Sequence, residues 1–151
     1  MKVKDVMTTD VKSCRPETNA AEAVKMMWDH DCGVLPIVNS VGKVVGMITD
    51  RDLSVAIATR GRAPERIAVK DVVSGKAYTC QAEDDVPAAL GVMKAQQVRR
   101  LPVVDAQGRL QGILSMNDVV VHSGAASPNQ IVDTLAGICA HRGKPAVAGA
   151  A

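Results

Sequence analysis

Aromatic residues are almost absent from this chain of 151 residues, which has one tryptophan, one tyrosine and no phenylalanine. Proteins that bind single-stranded nucleic acid usually stack bases on aromatic rings, so the composition does not support a protein of that class. A large charge imbalance is also missing, because 18 basic and 16 acidic residues are spread along the chain and leave a net charge of +2. No basic tail or stripe therefore indicates a nucleic-acid partner.

Long apolar runs are missing too. None approaches the ~18 residues needed to cross a bilayer, and the N-terminus MKVKDVMTTDV lacks the apolar segment of a secretory signal. We therefore expect no membrane association and a cytoplasmic location.

Cysteine is scarce and scattered, at positions 14, 32, 80 and 139, with no C-x-x-C pair. His30 lies two residues before Cys32, which is a poor signal for a metal site on its own. We expect no metal site and ordinary buried thiols in a reducing compartment, although the sequence leaves a disulfide open.

What the chain does contain is aliphatic residues: 47% is hydrophobic, nearly all of it Val, Ala, Ile, Leu and Met. Valine-rich runs alternate with alanine-rich stretches, which is typical of small α/β layers.

The chain also repeats itself at an offset of 66 residues. About 14 of roughly 51 paired positions are identical, against about 3 expected by chance, as when VKDVMTTDVKSC falls on VKDVVSGKAYTC. The protein is therefore a tandem duplication.

Each copy predicts the order β-α-β-β-α. In the first copy a strand over residues 11–14 leads into a helix whose predicted apolar stripe consists of Ala20, Ala23, Val24, Met27 and Trp28. Two valine-rich strands follow, joined by a turn that needs glycine at 42 and again at 108. A hydroxyl residue followed three positions later by an aspartate then begins the closing helix.

The predicted domains are 1–61 and 69–124, joined by a linker at 62–68. A further helix is predicted over 127–143, with Ser127 as N-cap, Pro128 in its first turn and Ile131, Leu135 and Ile138 on one face. A frayed, disordered tail is expected at 144–151.

At this point the sequence resembles a pair of CBS domains, the module named after cystathionine β-synthase, over about residues 1–122. The resemblance rests on an ordered set of motifs that occurs twice: LPIV, Gly42, Gly46 and Thr49-x-x-Asp52, then LPVV, Gly108, Gly112 and Ser115-x-x-Asp118. The overall pattern is similar to stand-alone bacterial CBS-pair proteins of the hypoxic and stress response.

The resemblance implies an α/β fold in which two β-α-β-β-α domains form a pseudo-two-fold pair, followed by a C-terminal helix. It also implies two clefts that bind an adenosyl ligand such as AMP, ADP, ATP, NAD or S-adenosylmethionine, with no other cofactor required. Family members commonly form homodimers, and the implied role is signal transduction to a protein target that the sequence does not identify.

Carried over residue by residue, the resemblance assigns two sets of cleft residues. Cleft A would contain Thr49, Asp50, Arg51, Asp52, Tyr78, Thr79, Cys80, Arg99, Arg100, Leu101 and Pro102. Cleft B would contain Lys12, Ser13, Cys14, Gly33, Val34, Leu35, Pro36, Ser115, Asn117 and Asp118. The aspartate would accept the ribose hydroxyls, and the free N–H groups of the helix N-terminus would favour phosphate. Since the arginines all fall in cleft A, we expect that cleft to prefer the more highly phosphorylated ligand.

Other interpretations remain open at this stage. Each T/S-x-x-D could be a helix cap and nothing more, which would leave a structural or protein-interaction module with vestigial clefts. An enzyme is disfavoured, because no nucleophile with a base, no phosphate-binding glycine loop and no metal cluster is present in the pattern, so we expect no catalytic residues.

Overall fold

The computed structural model describes residues 1–73 and 75–141. In the first repeat a 3-10 turn at Val3–Asp5 precedes α1 (Ala20–Asp29), β1 (Val34–Val38), β2 (Val44–Thr49) and α2 (Asp50–Thr59). In the second, a 3-10 turn at Pro64–Arg66 precedes α3 (Val69–Val72), β3 (Cys80–Gln81), α4 (Val86–Gln96), β4 (Arg100–Val104), β5 (Leu110–Ser115) and α5 (Met116–Val121), and α6 (Pro128–Cys139) follows. The predicted α/β fold class with a C-terminal helix is confirmed.

Each repeat contains an antiparallel hairpin. Val34 lies opposite Thr49 in the first, and Arg100 lies opposite Ser115 in the second. Gly42 and Gly108 both have φ of +79°, a conformation that a residue with a Cβ rarely adopts, and this is why the hairpins turn where the sequence predicts.

The predicted strand over residues 11–14 is nearly absent. Only Cys14 pairs, in a parallel bridge with Ile37, whereas the N–H of Val11 bonds locally to the carbonyl of Thr9 and so does not join the sheet. In the second repeat the corresponding segment forms the two-residue strand β3, which runs parallel to β4.

The opening segment of each repeat packs into the core of the other. Val3 and Val6 are buried in the core that α4, β4 and β5 form, while Ile67 and Val69 are buried in the core that α1, β1 and β2 form. The backbone also connects the two repeats, because the N–H of Val3 bonds to the carbonyl of Asp84 at 2.9 Å. The two repeats therefore fold as one interlocked unit.

The two hairpins also meet at their tips. The N–H of Val44 bonds to the carbonyl of Gly108 at 3.0 Å, and the N–H of Leu110 bonds to the carbonyl of Gly42 at 3.1 Å. These reciprocal bonds join equivalent positions of the two repeats, as a pseudo-two-fold pair requires.

Helix α6 lies on α4 and completes the second core with its predicted face of Ile131, Leu135 and Ile138. It ends at Cys139, earlier than the predicted 143, because Ala140 leaves the helical conformation. The side-chain amide of Gln97 donates to the carbonyls of Gly137 and Ala140 and so satisfies the last turn. The predicted disordered tail at 144–151 lies outside the described residues.

The predicted apolar stripe of α1 is only partly correct. Ala20, Ala23 and Met27 are buried as expected, but Val24 is 42% exposed and Trp28 is 85% exposed. In α4 the counterpart of Val24 is Leu90, which is buried. The difference arises because α6 covers α4, whereas no described element lies over α1 at this position.

Candidate functional site

Both T/S-x-x-D motifs form capping boxes at the N-termini of α2 and α5. The N–H of Asp52 donates to Thr49 Oγ1 at 3.1 Å, and the N–H of Thr49 donates to Asp52 Oδ2 at 3.0 Å. Ser115 and Asp118 reproduce the pair, with the N–H of Ser115 donating to Asp118 Oδ2 at 2.7 Å. Both motifs therefore act as helix caps. A ligand could bond only to those atoms of each motif that the cap leaves without a partner.

The two aspartates differ in how much of the carboxylate stays free. Asp118 Oδ1 accepts a hydrogen bond from the hydroxyl of Thr8 at 3.2 Å, and Asp118 Oδ2 accepts a second one from Ser115 Oγ at 2.6 Å. Among residues 1–73 and 75–141, no donor bonds to Asp52 Oδ1. Asp52 is therefore the carboxylate with more capacity to accept the hydroxyl protons of a ligand.

Thr8 is a site residue that the sequence analysis missed. Its backbone pairs with Ile113, the two N–H···O bonds measuring 3.0 and 2.9 Å, and this pairing holds its hydroxyl against Asp118. A Cβ on Gly112 would come within 2.7 Å of the Thr8 carbonyl oxygen, so glycine permits the approach. The sequence feature that could have indicated this role is the hydroxyl residue that both repeats have at this position, at 8 and at 74.

A pocket of about 210 Å³ adjoins Asp52 on the side of α2. Its lining comprises Arg51, Asp52, Val55, Ala56, Thr59, Arg60 and Val72. Arg60 also donates from Nη2 to the carbonyl of Asp71 at 2.7 Å, which holds its guanidinium at the pocket. Arg60 was not predicted from the sequence, because its counterpart in the second repeat is Ala126 and no repeated motif marks it. Two guanidinium groups beside a free carboxylate can bind a phosphorylated polyol.

The arginines of the x-x-L-P segment lie beside the T/S-x-x-D motif of their own repeat. Arg100 lies opposite Ser115 in the β4–β5 pair, and the carbonyl of Arg99 accepts the N–H of Met116 at 3.0 Å. Gly33 has the matching position in the first repeat, where its carbonyl accepts the N–H of Asp50 at 3.0 Å. Each segment thus adjoins the T/S-x-x-D motif of its own repeat, and the predicted contact across to the other repeat stays a prediction.

The remaining predicted site residues divide into buried and accessible ones. Those with buried side chains are Cys14, Val34, Leu35, Pro36, Cys80, Leu101 and Pro102. Those with at least partly accessible side chains are Lys12, Ser13, Tyr78, Thr79 and Asn117. Lys12 forms an ion pair with Asp10 at 3.0 Å. The buried set can contact a ligand only through backbone atoms unless the cleft rearranges.

The buried cysteines behave as packed thiols. Burial raises the pKa of Cys14 to about 11 and the pKa of Cys80 to about 12, so both stay protonated at neutral pH. All four cysteines are free.

Among residues 1–73 and 75–141 no three His, Cys, Asp or Glu side chains are grouped to hold a metal ion. Within the same part of the chain no helix has the length and apolar character that a membrane span requires.

Comparison with known proteins establishes the family. The CBS domain model matches residues 3–59 and 69–124, so the chain belongs to the CBS domain family and contains two such domains. It is 35% identical to the CBS domain-containing protein YhcV of Bacillus subtilis over 120 residues, which is 80% of this chain and 84% of YhcV. It is 33% identical to the uncharacterized protein MK0525 of Methanopyrus kandleri, spanning 78% of this chain but only 60% of that relative.

Solved structures of CBS pairs share the fold. Hypoxic Response Protein I, solved with two coordinated zinc ions and known from Mycobacterium tuberculosis, aligns with a TM-score of 0.74 at 30% identity, covering 81% of this chain and 98% of that one. The CBS pair of protein MJ0100, solved with 5'-methylthioadenosine and S-adenosyl-L-methionine, aligns with a TM-score of 0.72 at 26% identity, covering 80% and 93%. CBSX2, a protein of Arabidopsis thaliana, was solved in complex with AMP and aligns with a TM-score of 0.67 at 26% identity, covering 79% and 93%.

Proposed function

We propose that this chain is a non-catalytic regulatory module that binds an adenosyl ligand between its CBS domains and passes the ligand's presence on to another protein as a signal of energy or stress status. The observation that carries the proposal is the environment of Asp52. Its carboxylate retains a free oxygen at a helix N-terminus, and a pocket with two arginines adjoins it. The relatives support the ligand class, since one was solved with S-adenosyl-L-methionine and another with AMP.

The proposed ligand contacts follow from the atoms that the fold leaves available. Asp52 Oδ1 accepts the ribose hydroxyls, and the N-terminal N–H groups of α2 with Arg51 and Arg60 attract the phosphates. The ligand is AMP, ADP, ATP, NAD or S-adenosylmethionine, and no further cofactor takes part.

The two sites should bind unequally. Asp118 already accepts hydrogen bonds from Thr8 and Ser115, so a ligand there would have to displace a donor before it could bond to the carboxylate. We expect the Asp52 site to bind more tightly and to prefer the more highly phosphorylated ligand, because Arg51 and Arg60 line its pocket.

The test is a thermal-shift series with the five compounds on the purified protein, the Asp52→Asn variant and the matched Asp118→Asn variant. A ligand at about 100 times its Kd stabilises the folded state by about 2.7 kcal/mol, which raises the Tm of a chain of this size by roughly 5 to 10 °C. We expect one compound to give this shift, Asp52→Asn to remove most of it and Asp118→Asn to leave most of it. Flat curves with all five compounds at millimolar concentration would contradict the proposal.

A second candidate function is a protein-interaction module with vestigial clefts. The capping boxes favour it, because Thr49 and Asp52 satisfy each other without any ligand. A partner protein whose affinity does not change on addition of the five compounds would favour this alternative. Turnover of a nucleotide by the pure protein would contradict both candidates.

The predicted homodimer and cytoplasmic location belong to the same proposal. Sedimentation of the purified chain over a hundredfold range of concentration tests the dimer. Fractionation of cells that express the chain tests the location.

A further inference from the structure

The segment that joins the two repeats, residues 60–71, forms a closed loop on the surface, which we call the linker loop. Its ends are joined because Arg60 Nη2 donates to the carbonyl of Asp71 at 2.7 Å. Its middle is fixed to the first core, since Ile67 is 2% exposed and the carbonyl of Ile67 accepts the N–H of Ala20 at 2.8 Å. The linker loop is therefore a structured surface, of the compact kind that often has a binding role.

The linker loop contains the whole net charge of the chain. It has four of the 18 basic residues and two of the 16 acidic ones, which leaves equal numbers of each sign elsewhere. At the offset of 66 residues the corresponding segment, 126–137, has no basic residue and one acidic residue, Asp133. The cations are therefore particular to the linker loop and are not a feature of the repeat.

The four basic side chains of the linker loop are exposed: Arg60, Arg62, Arg66 and Lys70. In the part of the chain that the structure describes, none of them forms an ion pair. The other opening segment differs in this respect, because Lys4, which corresponds to Lys70, pairs with Glu83 at 2.7 Å. The fold therefore leaves the cations of the linker loop available to another molecule.

The number and type of the cations decide among the anionic partners. Proteins that bind duplex nucleic acid typically make about 6 to 10 phosphate contacts, more than four side chains supply. Single-stranded nucleic acid usually stacks its bases on aromatic rings, and the linker loop has no aromatic residue. A carboxylate, by contrast, matches a single guanidinium group through two parallel hydrogen bonds. An acidic protein segment is therefore the partner that this surface fits best.

We propose that the linker loop binds an acidic segment of a partner protein, whose glutamate or aspartate side chains pair with Arg62 and Arg66. Arg62 precedes the 3-10 turn Pro64–Arg66, and Arg66 is its last residue. Four positions separate the two arginines, at most about 14 Å of chain, which a short extended segment spans. Neither arginine lines the pocket at Asp52, so the proposal does not depend on nucleotide binding.

The test follows the fluorescence anisotropy of a dye-labelled poly-glutamate peptide as the full chain is added at physiological ionic strength. The variant Arg62→Gln with Arg66→Gln removes the two proposed contacts. The matched control, Lys43→Gln with Arg109→Gln, removes the same charge at exposed positions of the two hairpins. We expect saturable binding that is about tenfold weaker in the linker-loop variant, because two ion pairs are lost, and changed by less than about twofold in the control.

Three outcomes would overturn the proposal. The first is the absence of saturable binding of poly-glutamate to the unmodified chain. The second is an equal loss in the two variants, because the peptide would then respond to net charge and not to the linker loop. The third is tighter binding of dye-labelled duplex DNA than of poly-glutamate, because the partner would then be a nucleic acid.

The same variant separates this proposal from the proposed nucleotide site. It retains Arg60, which lines the pocket at Asp52, so its thermal shift with the five compounds should equal that of the unmodified chain. Loss of peptide binding with an unchanged thermal shift supports a separate surface. Circular dichroism checks that the variant folds, as expected for substitutions at exposed positions.

Discussion

The hydroxyl of Thr8 donates a 3.2 Å hydrogen bond to Asp118, although the two residues are 110 positions apart in the chain. This contact joins the opening segment of the first repeat to the capping motif of the second. The same segment contributes Val3 and Val6 to the second core. The proposed ligand site at Asp118 and the packing of the N-terminal segment are therefore coupled.

Replacing Thr8 by valine should lower the free energy of unfolding by about 1 kcal/mol, because valine keeps the shape and removes the hydrogen bond. Urea denaturation measures the change. The matched control is Thr9→Val at the exposed neighbouring position, which should change the free energy of unfolding by less than about 0.5 kcal/mol. Equal losses in the two variants would show that the Thr8 hydroxyl does not stabilise the fold.

The capping box at α2 predicts a second effect on stability. Thr49→Ala removes the oxygen that accepts the N–H of Asp52 and should cost about 1 kcal/mol, whereas Thr49→Ser keeps that oxygen and should cost much less. Thermal denaturation without ligand measures both variants. If alanine and serine had the same Tm, the hydroxyl would not act as a cap.

Two glycines should respond to alanine in opposite directions. At Gly112 a Cβ would lie 2.7 Å from the Thr8 carbonyl oxygen, so Gly112→Ala must push the N-terminal segment away and should cost about 1 to 3 kcal/mol. At Gly91, inside α4, a Cβ meets nothing within 4 Å, and alanine is the better helix former. Gly91→Ala should therefore raise the free energy of unfolding by about 0.5 to 1 kcal/mol. Urea denaturation of both variants checks the two signs, and destabilisation by Gly91→Ala would contradict the reasoning.

Prediction from the sequence succeeded where a residue's role depends on its near neighbours. The hairpin glycines at 42 and 108 and the start of α6 at Pro128 depend on local conformation, and all three lie where the sequence analysis places them. The α/β fold was predictable for a related reason, because the duplication gives every motif twice.

Prediction failed where distant chain segments decide the outcome. Val3 and Val6 complete the core of the other repeat, and no local pattern reveals which core a short apolar segment joins. Trp28 has the helical spacing of a buried residue but remains exposed, because burial on this stripe depends on a covering helix, which in the described part of the chain lies on the second repeat alone. Arg60 was missed because the second repeat has Ala126 at its position and because the Asp71 carbonyl, which accepts its hydrogen bond, is brought near only by folding.

The packing of α6 on α4 predicts a loss of stability on truncation of its inner face. Leu135→Ala should cost about 1 to 3 kcal/mol, less than a fully buried leucine, because the side chain is partly accessible. Val132 is the matched control, since it is 66% exposed on the same helix and Val132→Ala should change the free energy of unfolding by less than about 0.5 kcal/mol. Thermal and urea denaturation measure both. A negligible effect of Leu135→Ala would mean that α6 leaves α4 in solution.

The buried thiols predict how stability depends on alkaline pH. Burial raises the pKa of Cys14 to about 11 and of Cys80 to about 12, whereas an unfolded cysteine ionises near about 8.5. As the pH rises the unfolded chain therefore loses these protons first, so the free energy of unfolding is unaffected by them below about pH 8 and falls progressively above it. Urea denaturation between about pH 7 and about pH 10 should show a shallower fall in the free energy of unfolding for the double variant Cys14→Ala with Cys80→Ala than for the unmodified chain.

The matched control is Cys139→Ala, at an exposed position, and its free energy of unfolding should change with pH as that of the unmodified chain does. Parallel pH profiles for all three proteins would show that burial does not hold the two thiols in their protonated form.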